Sequence, residues 1–297
     1  MSGKKLSSLG RLALFGAAFL WGISFVVLKN LLTNVPTLHI LAIRFCGAAL
    51  ILFPACIRNL KKLNKRYLLG GALMGIALLL GYVFQTYGLR QTTPGKNAFL
   101  TSTYCIIVPF LYWILMRKKP DKYNAAAALI CIIGIGLISL DNNLKIGAGD
   151  ALTIVCGFFY ALHIVISAKV VEKRDPILLV MLQFAAAGIL ALIAALIVET
   201  TPFVWTSSDI LATVFLTVAA TAGCLLMQIF GQKYTPPSQA AVIMTLESVF
   251  GALVSVIFYR EILTLQLIAG FALAFIAVII SETKLGFLRK PNVIPNS

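Results

Sequence analysis

Residues 93–116 read TPGKNAFLTSTYCIIVPFLYWILM, and residues 235–258 read TPPSQAAVIMTLESVFGALVSVIF. The two stretches align without a gap at an offset of 142 residues, and the match runs on to residues 138 and 280. Thr93-Pro94 meets Thr235-Pro236, Ala98 meets Ala240, Thr103 meets Thr245, Leu111 meets Leu253 and Ala127 meets Ala269. Pro suits the first turn of a helix, where its missing N–H costs nothing. Each stretch then stays apolar for the length of a membrane span. A second correspondence lies upstream, where Arg44-Phe45 parallels Gln183-Phe184, each followed by small residues.

The whole chain divides into ten such apolar runs, at about 12–32, 37–57, 67–89, 97–116, 123–140, 150–170, 177–198, 210–232, 238–258 and 264–282. A spanning helix needs about 20 residues. The runs are continuous, unlike the ten-residue alternations of a membrane β-barrel. Composition agrees. Sixty per cent of the 297 residues are hydrophobic and 12% are charged, against roughly 45–50% and 25% in soluble domains. Soluble, disordered and nucleic-acid-binding classes are thereby excluded, and lipid must be the main solvent. The first run is far longer than the apolar core of a signal peptide and no A-x-A site follows it, so a retained helix is expected. Cys46, Cys56, Cys105, Cys131, Cys156 and Cys224 all fall inside apolar runs without C-x-x-C spacing. They read as small core residues.

The net charge of +15 is explained by where it sits. With the N-terminus inside, 19 of the 25 basic residues fall in cytoplasmic segments. The outer segments hold only Lys29, Arg90, Lys96, Lys145 and Arg260, and Arg44 alone lies within a span. This is the positive-inside pattern. It predicts a multi-pass protein of the cytoplasmic (plasma) membrane with both termini cytoplasmic. The expected fold is all-α, with ten transmembrane helices in two five-helix repeats, residues 1–141 and 142–297. Five is odd, so the second repeat enters the membrane inverted. Inverted repeats are a transporter architecture, because two such halves can exchange conformations to open either face.

Several short stretches resemble the EamA family of the drug/metabolite transporter superfamily. They are Leu20-Trp21-Gly22, Ile43-Arg44-Phe45, Thr93 to Thr101 with Val108-Pro109, and Leu246-Glu247-Ser248-Val249-Phe250 with Arg260-Glu261 beyond. The family often has Glu-Pro where this chain has Glu247-Ser248, so the resemblance carries no kink to the ninth span. The acidic residue that often ends the fourth span is also missing; the chain reads Arg117-Lys118-Lys119-Pro120 there. The resemblance implies a transporter and leaves the substrate open.

Polar residues within spans are the candidate site. A charge at mid-membrane costs about 2.5–3.5 kcal/mol on insertion scales. Arg44 therefore faces a cavity or a partner: it either anchors a substrate carboxylate or phosphate, or serves structure by binding helix-end carbonyls or Glu247. Glu247, the one acid in the middle of a span, can carry a coupling proton or pair with Arg44. His163 corresponds to Ser24 when Trp21 is matched to Tyr160, and reads as a hydrogen-bonded interior residue or a pH sensor. Trp21, Phe25, Tyr82, Phe84, Gln85, Tyr87, Tyr104 and Gln228 mix aromatic and amide groups, as a small-metabolite pocket does. Gln85 and Gln228 sit at related places, each three residues before a glycine. Gly71 and Gly75 form a close-packing G-x-x-x-G pair, and Pro109 marks a bend in the fourth span. No metal spacing, phosphate loop or cofactor motif is present.

The expected function is a secondary transporter that exports a small organic metabolite such as an amino acid, with protons as a candidate coupling ion. Its partners would be that substrate and membrane lipid, with no nucleic acid; a homodimer is compatible with the sequence. The alternatives are a membrane-embedded enzyme acting on a lipid-like substrate and a channel. The enzyme reading requires Arg44, His163 and Glu247 within hydrogen-bond reach of one another.

Overall fold

In the computed structural model, residues 3–117, 119–140, 146–171, 174–235 and 237–284 are described. Lipid offers the backbone no hydrogen bonds, so each span must satisfy its own as a helix. Spans one to three are α1 (Gly3–Leu31), α2 (Thr37–Cys56) and α3 (Lys65–Gln91). Span four is split into α4 (Pro94–Thr101) and α5 (Tyr104–Met116), and span five is α6 (Lys122–Ser139). Spans six and seven are α7 (Ala148–Val171) and α8 (Pro176–Val198). Span eight runs from α9 (Ser207–Val214) through a π-helical stretch, Phe215–Gly223, into α10 (Cys224–Tyr234). Spans nine and ten are α11 (Pro237–Tyr259) and α12 (Leu265–Thr283). The expected spans are all present. The boundary expected after residue 141 lies outside the described residues, as does Pro236.

Polar caps punctuate the apolar chain. Asn64 accepts from Arg66 N and Tyr67 N to start α3, and Asp121 and Thr206 form capping boxes for α6 and α9. Such caps satisfy backbone donors that water alone would otherwise have to meet at the membrane surface. Large apolar side chains of both halves face outward, among them Leu50 and Ile197, each 72% exposed. On a soluble protein such a belt would be an association surface; here it meets lipid.

The packing repeats across the halves. Helices α2 and α8 lie against each other, as do α6 and α12. α3 packs on α7, and its counterpart α10 packs on α1. Glycines set these approaches. A Cβ on Gly88 would come within 2.8 Å of Gly149 O, and one on Gly231 within 2.8 Å of Gly10 O. Gly71 and Gly75 pack α3 on α8, where added Cβ atoms would meet Leu182 Cβ at 2.5 Å and Gln183 O at 2.6 Å. We call the end of the bundle at which α1 begins and α12 finishes the terminal end, and the other the distal end.

Span four breaks at Ser102 and Thr103, before Pro109, where the bend was expected. Two hydroxyls turn back on the helix there: Ser102 Oγ donates to Ala98 O (3.2 Å) and Thr103 Oγ1 to Leu100 O (2.6 Å). Side-chain bonds of this kind compete with the helical ladder and bend it. The next turn tightens, with Cys105 N on Ser102 O and Ile106 N on Thr103 O. The matching span, α11, is unbroken, and its Ser248 Oγ lies 3.0 Å from Ser102 Oγ.

Candidate functional site

A cavity of about 550 Å³ lies between the two halves. Arg44, Glu247, Gln85, Gln228, Trp21, Tyr82, Tyr104 and His163 all line it. They come from seven different spans, so the fold gathers what the sequence scatters. The lining also follows the repeat. Trp21 and Tyr160, Ser24 and His163, Arg44 and Gln183, Gln85 and Gln228, and Cys105 and Glu247 occupy corresponding positions, and all ten line the cavity. The charges break this symmetry, because Arg44 and Glu247 face neutral counterparts. Phe84 and Tyr87 do not line it: Phe84 stacks on Phe159, and Tyr87 donates to Glu199 Oε1 at 3.1 Å.

Arg44 is 2% exposed. Its Nε and Nη2 donate to Thr221 Oγ1 at 3.1 and 3.0 Å. Thr221 in turn donates to Leu216 O, 2.7 Å away and five residues back along the π-helical stretch. The hydroxyl hydrogen is therefore committed to the backbone, and its oxygen is left to accept. Gly47 brings α2 close enough for this contact; a Cβ there would lie 2.6 Å from Thr217 Cγ2. The guanidinium carbon stands 4.9 Å from the centre of the Tyr82 ring, a cation–π geometry. Among the described residues Nη1 has no partner.

Glu247, 8% exposed, has neither a hydrogen-bond nor an ion-pair partner among the described residues. The Arg44–Glu247 ion pair, one of the two structural options for these residues, does not form. Both charges instead present open valence to the same cavity.

The other polar groups are more fully engaged. Gln85 donates to Thr101 Oγ1 (3.1 Å) and accepts from Tyr160 Oη (2.9 Å), tying α3 to α4 and α7. Gln228, its counterpart, has no partner among the described residues. His163 Nε2 lies 2.8 Å from Gln183 Oε1 and 3.3 Å from Ser167 Oγ. Trp21 Nε1 donates to Ala220 O at 2.8 Å, within the π-helical stretch. Tyr104 packs edge-on against Tyr160.

Sequence reading missed Thr221 and Glu282. Thr221 is one hydroxyl among several in an apolar run, and only its place on the π-helical stretch selects it. Glu282 lies in the last turn of α12 and lines the cavity at the terminal end.

The EamA-like transporter family model matches this chain twice, over residues 8–140 and 147–283. The chain belongs to that family. An "Uncharacterized transporter" of Archaeoglobus fulgidus is 33% identical over 263 residues, covering 89% of this chain and 82% of that protein. "Uncharacterized transporter YvbV" of Bacillus subtilis is 24% identical, with 89% and 88% covered. A solved structure titled "Crystal structure of protein" superimposes with a TM-score of 0.67 over 95% of this chain and 99% of that one, at 15% identity, a likeness of fold. The EamA-like chain is a multi-pass membrane transporter built from two repeats.

Proposed function

We propose that this EamA-like transporter is a secondary carrier that exports a small organic metabolite, such as an amino acid, by alternating access. The carrying observation is the shared cavity, in which a guanidinium and a carboxylate from opposite halves both keep unsatisfied hydrogen-bonding capacity. A zwitterionic substrate supplies both missing partners, with its carboxylate on Arg44 Nη1 and its ammonium on Glu247. Aromatic walls from Trp21, Tyr82, Tyr104 and Tyr160 fit an apolar side chain. Glu247 is also the proposed carrier of a coupling proton, released or taken up as substrate leaves it. The same reading places the protein in the cytoplasmic membrane with both termini inside, and divides the halves after residue 141.

Transport is favoured over lipid chemistry by the partners of the polar groups. Arg44 bonds Thr221 and His163 bonds Gln183, with no bond joining Arg44, His163 and Glu247. Flux of labelled amino acids, amines and sugars into vesicles bearing the purified protein tests the reading. Saturable flux for one class supports it; none for any, with folded protein, refutes it.

A further inference from the structure

The turn between α3 and α4, residues 89–96, is held at the distal end by three other spans. From α1, Lys29 Nζ donates to Leu89 O (2.6 Å), Arg90 O (3.0 Å) and Thr92 O (2.9 Å). From α7, Asp150 accepts from Thr92 Oγ1 and pairs with Lys96 at 3.6 Å. From just beyond α11, Glu261 accepts from Thr93 Oγ1, from Gly95 N (3.3 Å) and from Ser255 Oγ of that helix (2.5 Å). Arg260 is left-handed (φ 51°), which turns the chain so that Glu261 meets the start of α4. A carboxylate at a helix N-terminus is favourably placed against the helix dipole. Gly95 makes room for it: a Cβ there would sit 2.6 Å from Glu261 Oε2.

The repeat supplies the comparison. At the offset that matches Trp21 to Tyr160, Asp150 corresponds to Arg11. At the offset that matches Thr93 to Thr235, Glu261 corresponds to Lys119. Both carboxylates of the distal clamp are thus replaced by cations at the terminal end. Arg11 and Lys119 are exposed there, and a cation cannot accept the hydroxyl and backbone donors that Asp150 and Glu261 accept at the distal end. The cavity itself extends to Glu282 at the terminal end.

We propose that Asp150 and Glu261 form a latch that holds the distal face shut when no substrate is bound, so that the resting carrier is open at the terminal end. This rests on the alternating-access reading. It gives the two access states unequal resting energies although the folds of the two halves match, and makes opening of the distal face the step that substrate must drive.

Cys105 lines the cavity and reports access without an introduced cysteine. A charged, impermeant thiol reagent is applied to either side of sealed vesicles, and modification of the Cys105 peptide is read by mass spectrometry. In the wild type, modification is expected from the terminal side. In the Glu261→Gln/Asp150→Asn variant, the distal-side rate is expected to rise about tenfold, the change that follows when a few such bonds are weakened. Lys119→Glu, which puts an acid at the position matching Glu261, is expected to slow terminal-side modification. Unchanged rates in both variants overturn the latch. They leave the transport reading intact if the wild type shows substrate flux; absent flux overturns that reading whatever the labelling.

Discussion

Arg44 and Thr221 meet inside the bundle across the two halves, with two guanidinium nitrogens on one hydroxyl oxygen at 3.0 and 3.1 Å. The contact fixes the charge and leaves one nitrogen for the cavity. Hydrogen bonds to charged groups contribute about 1.5–3 kcal/mol. Thr221→Val keeps the shape and removes the acceptor. It is expected to lower the thermal midpoint in detergent and to weaken apparent substrate affinity, measured by flux against concentration. Thr221→Ser should restore both.

Glu247 has no hydrogen-bond or ion-pair partner among the described residues, and the proton-coupling proposal depends on it. Glu247→Gln is expected to lower flux and flatten its pH dependence, while Glu247→Asp keeps a pH-dependent flux. Flux in vesicles at a series of pH values checks this, and an unaltered profile in Glu247→Gln removes Glu247 from the coupling role.

Close packing makes a prediction independent of transport. A Cβ at Gly22 would sit 2.4 Å from Phe250 Cβ and 2.9 Å from Gly251 N, and backbone cannot step aside. Gly22→Ala is expected to cost about 1–3 kcal/mol, the usual range for overpacking, read as a lower unfolding temperature. Gly136 meets only Leu140 Cδ1 at 3.6 Å, so Gly136→Ala should be neutral or slightly stabilising.

At the terminal end Asp121 caps α6 and pairs with Lys284 at 2.5 Å. The Lys284 bond, with two backbone N–H groups, lowers the Asp121 pKa below its ordinary value. A depressed folded-state pKa gives stability that is complete above the ordinary carboxyl pKa and is lost as pH falls through the folded value. The pair is largely exposed, so its effect is small. Asp121→Asn should lower the unfolding temperature slightly at neutral pH and reduce its acid sensitivity below about pH 4, where the two proteins converge.

The spans and the repeat were legible because lipid imposes long apolar runs and short charged breaks, and Thr93-Pro94 against Thr235-Pro236 fixed the register. The eight candidate residues were legible as polar groups out of place, and the fold gathers them in one cavity. Their partners were not legible. Nothing in the run from Phe215 to Gly223 marks a π-helical stretch, so Thr221 could not be chosen from its neighbours. The break in span four falls at Ser102 and Thr103 because hydroxyls outcompete the ladder there, an effect weaker in sequence than the conspicuous Pro109. Glu282 was hidden by its place at a span end, where an acid ordinarily meets water.

The central claim is that one cavity, with Arg44 and Glu247 open to it, carries a zwitterionic metabolite across the membrane. Counterflow tests it most directly: vesicles preloaded with an unlabelled amino acid, and the uptake of the same labelled compound followed against its concentration. Saturable uptake, accelerated by the internal load and abolished in an Arg44→Ala/Glu247→Ala protein that still unfolds cooperatively, is the expected result. Uptake that never saturates, or equal uptake by the double variant, would contradict the account.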